Sequence, residues 1–222
     1  MEWFPNFPSV PAKKYDTLRP IIRSGDILLC SGHAIFSTMI KQATRSLWSH
    51  VAFVLRIDAI DRIILLESVE SIGVRAVSLR SYVNDYNGTG KAYPGTLLIA
   101  RHHDMKEENI KNLAKCAVDL LGHPYHTQEV LRIAARVSMG SVGLNAKTQS
   151  PPTHQEFICS EYAYECFKSV GITIDYDPLG FIAPADFARC PKVQPIALID
   201  SDDEEPEKKK RVAAYDYGAL NK

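Results

Sequence analysis

The sequence predicts an α+β fold, an antiparallel sheet or small barrel packed against helices, on three observations. Residues 48–69 form two apolar runs around the polar turn Asp58 to Asp61, the pattern of a β-hairpin. Short apolar runs at Ile27–Cys30, Thr96–Arg101 and Val193–Leu198 read as further buried strands. Residues 104–121 and 157–170 instead repeat their apolar residues at helical spacing.

The totals narrow the class. A chain of 222 residues, 45% hydrophobic, buries one substantial core, expected over residues 23–200. Lys+Arg and Asp+Glu balance at 26 each, which gives no electrostatic case for a nucleic acid partner. The five cysteines, Cys30, Cys116, Cys159, Cys166 and Cys190, are odd in number and lack a C-x-x-C, so neither a disulfide framework nor a zinc ribbon is indicated. That suits a reducing compartment. Met1 to Pro8 has an acid and two prolines where a signal peptide needs a continuous apolar run, and no stretch is long enough for a membrane span. A soluble cytoplasmic protein without metal or cofactor is the expectation; the oligomeric state is left open.

Along the chain, Pro5, Pro8, Pro11 and Pro20 make residues 1–22 read as an extended arm on the domain surface. Ser24-Gly25-Asp26 turns into the first strand, and Ala34 to Ser46, with Phe36, Met39, Ile40 and Ala43 at helical spacing, reads as a helix. If the hairpin turn is centred between Ala59 and Ile60, Val69 lies opposite His50, and Glu67 is two places away on the same face. Such a pair holds an imidazole in one tautomer, although a strand-edge histidine bonded to backbone is the commoner arrangement. Ser81 to Gly95, with Asn87-Gly88 and Pro94-Gly95, reads as loop.

Asp104 and Glu107 have capping-box spacing and open a helix that Gly122 ends. His123-Pro124-Tyr125-His126 is a rigid corner; its histidines lack a matching carboxylate or cysteine motif and read as solvated loop residues, not metal ligands. Residues 126–156 read as a lid-like insertion with a helical middle, on which Arg132 and Arg136 stand one turn apart. After the second amphipathic helix, Ile172 to Ile174 reads as a short strand, Asp177 to Gly180 as a turn and Pro184 to Ala188 as a helical turn. From Ser201 an acidic block and then Lys208 to Arg211 predict a charged, mobile tail over 201–222 that catalysis does not need.

The helix of residues 157–171 organises the rest. Cys159 stands at its mouth, Gly171 stops it, and no Ser, Thr, Asp or Asn directly precedes the cysteine to cap the first turn. The positive end of the helix dipole favours a thiolate there, while Glu161 in the same turn opposes it, so a further activator is needed. A cysteine on an apolar helix face also has a plain packing role.

Three ordered pieces supply more. Gly25-Asp26-Ile27-Leu28-Leu29, then Ser49-His50-Val51-Ala52 with Glu67, then Pro124-Tyr125 with Cys159-Ser160-Glu161, resemble the circularly permuted, papain-like hydrolases of the NlpC superfamily, YiiX type. Ile182-Ala183-Pro184-Ala185-Asp186 resembles the segment that follows their cysteine helix, and the likeness spans about residues 23 to 198. The resemblance implies a permuted papain-like fold and a Cys159-His50-Glu67 triad. In it Cys159 attacks, His50 moves its proton and Glu67 orients the imidazole. It further implies an oxyanion and substrate site built from the Cys159 N–H, Tyr125 and the flanking Trp48, Ser49 and Ser160. The implied reaction is hydrolysis of a peptide or amide through a thioester. Two alternatives stand beside it: acyl transfer or lipid-acyl hydrolysis of the lecithin retinol acyltransferase kind, whose Asn-Cys-Glu-His signature is not what stands at Ile158 to Tyr162, and a catalytically silent binding domain that keeps the fold.

Overall fold

The computed structural model describes residues 10–33, 35–127, 157–176 and 181–200. Seven strands, β1 (Ala12–Lys14), β2 (Ile27–Ser31), β3 (His50–Ile57), β4 (Arg62–Val69), β5 (Gly73–Ser78), β6 (Thr96–His102) and β7 (Val193–Asp200), form one sheet in the order β1-β7-β6-β2-β3-β4-β5. Neighbours are antiparallel except β1 and β7, which are parallel. The sheet is open, with β1 and β5 at its edges. Six described helices accompany it: α1 (Tyr15–Leu18), α2 (Ile35–Thr44), α3 (Leu79–Asn84), α4 (Glu107–Asp119), α5 (Cys159–Lys168) and α6 (Pro184–Arg189).

Side chains alternate across a strand, and here both faces are covered. Ile27, Leu29, Val51, Phe53, Leu66 and Leu98 pack with residues of α4, α5 and α6. Leu28, Cys30, Ala52, Val54, Leu65 and Ile99 pack with Tyr15, Leu18, Leu79 and Tyr82 from α1 and α3. Two covered faces explain why β2, β3 and β4 read as continuous apolar runs rather than as alternating ones. Phe53 seats α5 on the sheet, its ring 5.6 Å from Tyr162 and 5.9 Å from Phe167. An aromatic of this size buries roughly 150–250 Å², so each contributes several kcal/mol to holding the helix in place.

The hairpin forms in the expected register, with Ile57 opposite Arg62 and Phe53 opposite Leu66, so Glu67 has the side-chain parity of His50. Cys30 of β2 pairs with His50, and Arg75 of β5 pairs with Glu67. At the head of β2, Asp26 is buried, accepts from the Arg23 N–H and from the Arg101 guanidinium at 2.6 and 2.8 Å, and so fixes the turn that feeds the central strand.

In its secondary structure the chain departs from the sequence reading in several places. Residues 10–22 are not a surface arm: β1 extends the sheet, and Tyr15, Leu18 and Ile22 are buried beneath it. Part of the expected loop from Ser81 is helical, because Ser78 caps α3 through its hydroxyl, which accepts from the Arg80 N–H. The cap of α4 lies two residues further on, where the Asn109 side chain accepts from the Lys106 N–H; Asp104 is taken by Lys192 instead. Ile172 to Ile174 form no strand, since they meet no strand edge and serve as buried anchors beside α5. The turn at Asp177 to Gly180, most of the 126–156 insertion with Arg132 and Arg136, and the 201–222 tail lie outside the described residues.

Candidate active site

Cys159 is the first residue of α5 and only 4% exposed. Ile158 offers no capping side chain, so Glu161 reaches back and accepts from the Ile158 N–H at 3.0 Å. The segment before the helix is pinned on both sides: the Phe157 N–H donates to the Pro124 carbonyl at 3.1 Å, and the buried Ser68 hydroxyl donates to the Phe157 carbonyl at 2.7 Å. The Pro124 corner is in turn laid along β5, through Val74 N–H to His123 carbonyl at 2.8 Å and Gly122 N–H to Val74 carbonyl at 3.0 Å. Gly73, at φ +87°, makes that approach possible, because a Cβ there would strike the His123 carbonyl. The sheet thus places Cys159 and Tyr125 together.

His50 begins β3 and presents its ring to the same spot. Its Nε2 lies 2.6 Å from Oε2 of Glu67. An ionised carboxylate only accepts, so Nε2 carries a proton and Nδ1 is the nitrogen left to face the Cys159 sulfur. Burial alone would lower the imidazole, but the neighbouring Cys159 sulfur, and then Glu67, outweigh it and push it up to about 10.

Glu67 is fully buried and saturated with donors. Oε2 accepts from His50 and from the Tyr82 hydroxyl, each at 2.6 Å, while Oε1 accepts from the Arg75 guanidinium through two nitrogens at 2.8 Å. Burial by itself would raise this carboxyl; His50, Tyr82 and Arg75 hold it below the usual carboxylate value. Arg75 and Tyr82 escaped the sequence reading. The parity rule that linked Glu67 to His50 finds Arg75 too, once β5 is recognised as the partner of β4.

The remaining expected residues fall at different distances from the chemistry. Tyr125 packs against Ile158, Phe181, Ala183 and Ala185, and its hydroxyl is raised by burial and then by the negative charge of Cys159, Glu70 and Glu161. Trp48 is buried in the core beneath α5. Ser49 is buried, with its hydroxyl accepting from the Gly32 N–H at 3.0 Å and donating to the Cys30 carbonyl at 3.3 Å, a clip between β2 and β3. The Ser160 hydroxyl donates to the Ile182 carbonyl at 2.7 Å and ties α5 to the strand-like lead into α6. His126, expected in solvent, has a side chain only 15% exposed, with Nδ1 3.9 Å from Glu161. Among the described residues no group of three or more His, Cys, Asp or Glu is placed to hold a metal ion, and none of their helices is long and apolar enough to cross a membrane.

Comparison with known proteins bears on the fold and the family. The fold is similar to the crystal structure of the metalloprotein yiiX from Escherichia coli O157:H7, with a TM-score of 0.56 at 16% identity, over 79% of this chain and 97% of that one. No curated protein matches the chain by sequence. The family model described as permuted papain-like amidase enzyme, YaeF/YiiX, C92 family, matches residues 21–179. A papain-like cysteine amidase fold in which the histidine strand precedes the cysteine helix, matched over most of its length by that family model, places this chain in the YaeF/YiiX family of permuted papain-like amidases.

Proposed function

We propose that the chain hydrolyses an amide or peptide bond through a thioester on Cys159, with His50 and Glu67 completing the triad. The observation that carries this reading is the imidazole of His50 bonded at 2.6 Å to the buried Glu67 carboxylate, with the Cys159 sulfur near enough to raise it. His50 Nδ1 takes the thiol proton, and Sγ attacks the substrate carbonyl. The Cys159 N–H at the helix mouth and the Tyr125 hydroxyl stabilise the oxyanion. His50 returns its proton to the leaving amine, the C–N bond breaks, and the acyl group remains on sulfur. Water then gives a proton to His50 and its oxygen to the acyl carbon, releasing the carboxylic acid and regenerating the thiol.

The test is intact-mass spectrometry of the full chain mixed with a panel of peptide and N-acyl anilides. A hydroxylamine-labile adduct on Cys159, with free acid as the final product, is the expected result. Turnover that survives Cys159→Ala would sink the proposal. An acylated amine acceptor in place of free acid would move it to acyl transfer.

A further inference from the structure

Glu67 has more donors than an orienting carboxylate needs. Oε2 already holds Nε2 of His50, yet Tyr82 adds a second bond to that oxygen and Arg75 occupies the other with two. Arg75 stands directly across the β4–β5 ladder, with its side chain 18% exposed, and Tyr82 rises from α3 on the same face. These contacts leave the carboxylate no lone pair for a proton and no room to rotate.

The charges around the site give this arrangement a purpose. Facing Cys159, His50 and Glu67 are Cys30 from β2, Arg75 from β5, Tyr82 from α3, Tyr86 and Tyr93 from the segment after it, Glu70 beyond β4, Tyr125, and on α5 Glu161 with its neighbour His126. Burial keeps the tyrosines and Cys30 neutral, and Glu70 and Glu161 add negative charge. Once the Cys159 proton has passed to His50, a thiolate, an imidazolium, a carboxylate and a guanidinium alternate in sign and cancel. Remove the guanidinium and the buried set has one negative charge too many, which a proton on the sulfur relieves.

We infer that Arg75 and Tyr82 are positioning residues for the Cys159–His50 pair: they hold Glu67 as a fixed anion whose charge Arg75 cancels, so the pair carries its opposite charges without a surplus. This rests on the catalytic reading of Cys159 and His50, and the test separates the two. The rate of iodoacetamide alkylation at Cys159 is followed against pH by mass spectrometry in wild type, His50→Ala, Arg75→Gln, Arg75→Lys and Tyr82→Phe, with circular dichroism as the control for folding. Arg75→Gln should move the pH midpoint of alkylation up by about one unit, and Arg75→Lys, which restores the charge, should bring most of it back. Tyr82→Phe should leave the midpoint in place and slow the reaction by about threefold, since it frees the carboxylate without changing any charge. A merely structural Arg75 moves no midpoint, and a merely structural Tyr82 leaves the alkylation rate of the folded variant unchanged. If His50→Ala alters the profile and Arg75→Gln does not, the brace is refuted and the pair stands. If neither alters it, both fall.

Discussion

Glu67→Gln keeps the shape of the buried side chain and removes its charge, and the contacts around it decide the outcome. The amide has one accepting atom where the carboxylate has two, each of which already serves two donors. With its oxygen toward Arg75, the amide turns its NH2 group to His50, and Nε2 has to give up its proton in order to accept. The proton then sits on Nδ1, the nitrogen that should receive the one from Cys159. Glutamine therefore leaves the imidazole in place in the wrong tautomer.

Stability and reactivity should both fall. Leaving Arg75 beside a neutral amide breaks a buried ion pair, at a cost of about 3 kcal/mol, or a fall in Tm of roughly 6–12 °C for a domain of this size. With the nitrogen beside the sulfur already protonated, His50 cannot accept the Cys159 proton, and Cys159 alkylation should slow by about tenfold. Calorimetry and the alkylation rate at pH 7 measure these two quantities. A variant that melts within 2 °C of wild type, a margin of about 1 kcal/mol, and alkylates at the wild-type rate refutes the reasoning.

His50 stands at about 10 in the fold against an ordinary 6.5, so the stability it contributes is complete below about pH 6.5 and is lost as pH rises through about 10. Glu67, held low, contributes above the ordinary carboxylate value and loses its share as acid protonates it. Urea midpoints of wild type and His50→Ala should accordingly differ most between about pH 5 and 7; a gap that widens toward pH 11 contradicts this. Cys116, half-buried on α4, should alkylate at neutral pH while the buried Cys30 and Cys166 do not, as peptide mapping will read directly. Phe167→Ala removes a fully buried ring packed edge-on to Phe53 and Phe187 and should cost about 4 kcal/mol in urea unfolding. Gly73→Ala forces a Cβ against the His123 carbonyl at positive φ, so it should both destabilise the fold and slow Cys159 alkylation by displacing the Tyr125 corner.

The grouping of His50 with Glu67 and the placing of Cys159 at a helix mouth were legible because each rests on local geometry. A four-residue turn set the register of β3 and β4, and two-residue parity then joined Glu67 to His50 without knowledge of the rest of the sheet. Helical spacing likewise placed Cys159 at the mouth of α5. The hidden features depend on partners outside their own segment. Gly73 to Ser78 has Arg75 in its middle and no unbroken apolar run; its strand character comes from pairing with β4. The prolines near the N-terminus suggest an extended arm on the domain surface, yet Pro11 has its carbonyl accepting from the Leu198 N–H of β7. Trp48, Ser49 and Ser160 flank reactive residues in sequence, but whether a hydroxyl faces a substrate or a neighbouring carbonyl depends on where β2 and the lead into α6 arrive.

The pairing of β1 with β7 also bears on how the chain is made. Strands β2 to β5 lie close in sequence and can zip as they leave the ribosome, apart from the helix between β2 and β3; β1 has to wait for residues almost two hundred positions later. Cys159 likewise emerges after His50 and Glu67 are already on their hairpin. A nascent chain arrested at Arg189 should therefore show amide-exchange protection in β3 and β4 and none in β1. Synthesis then delivers Cys159 after His50 and Glu67, and β1 can close the sheet edge only once β7 has emerged.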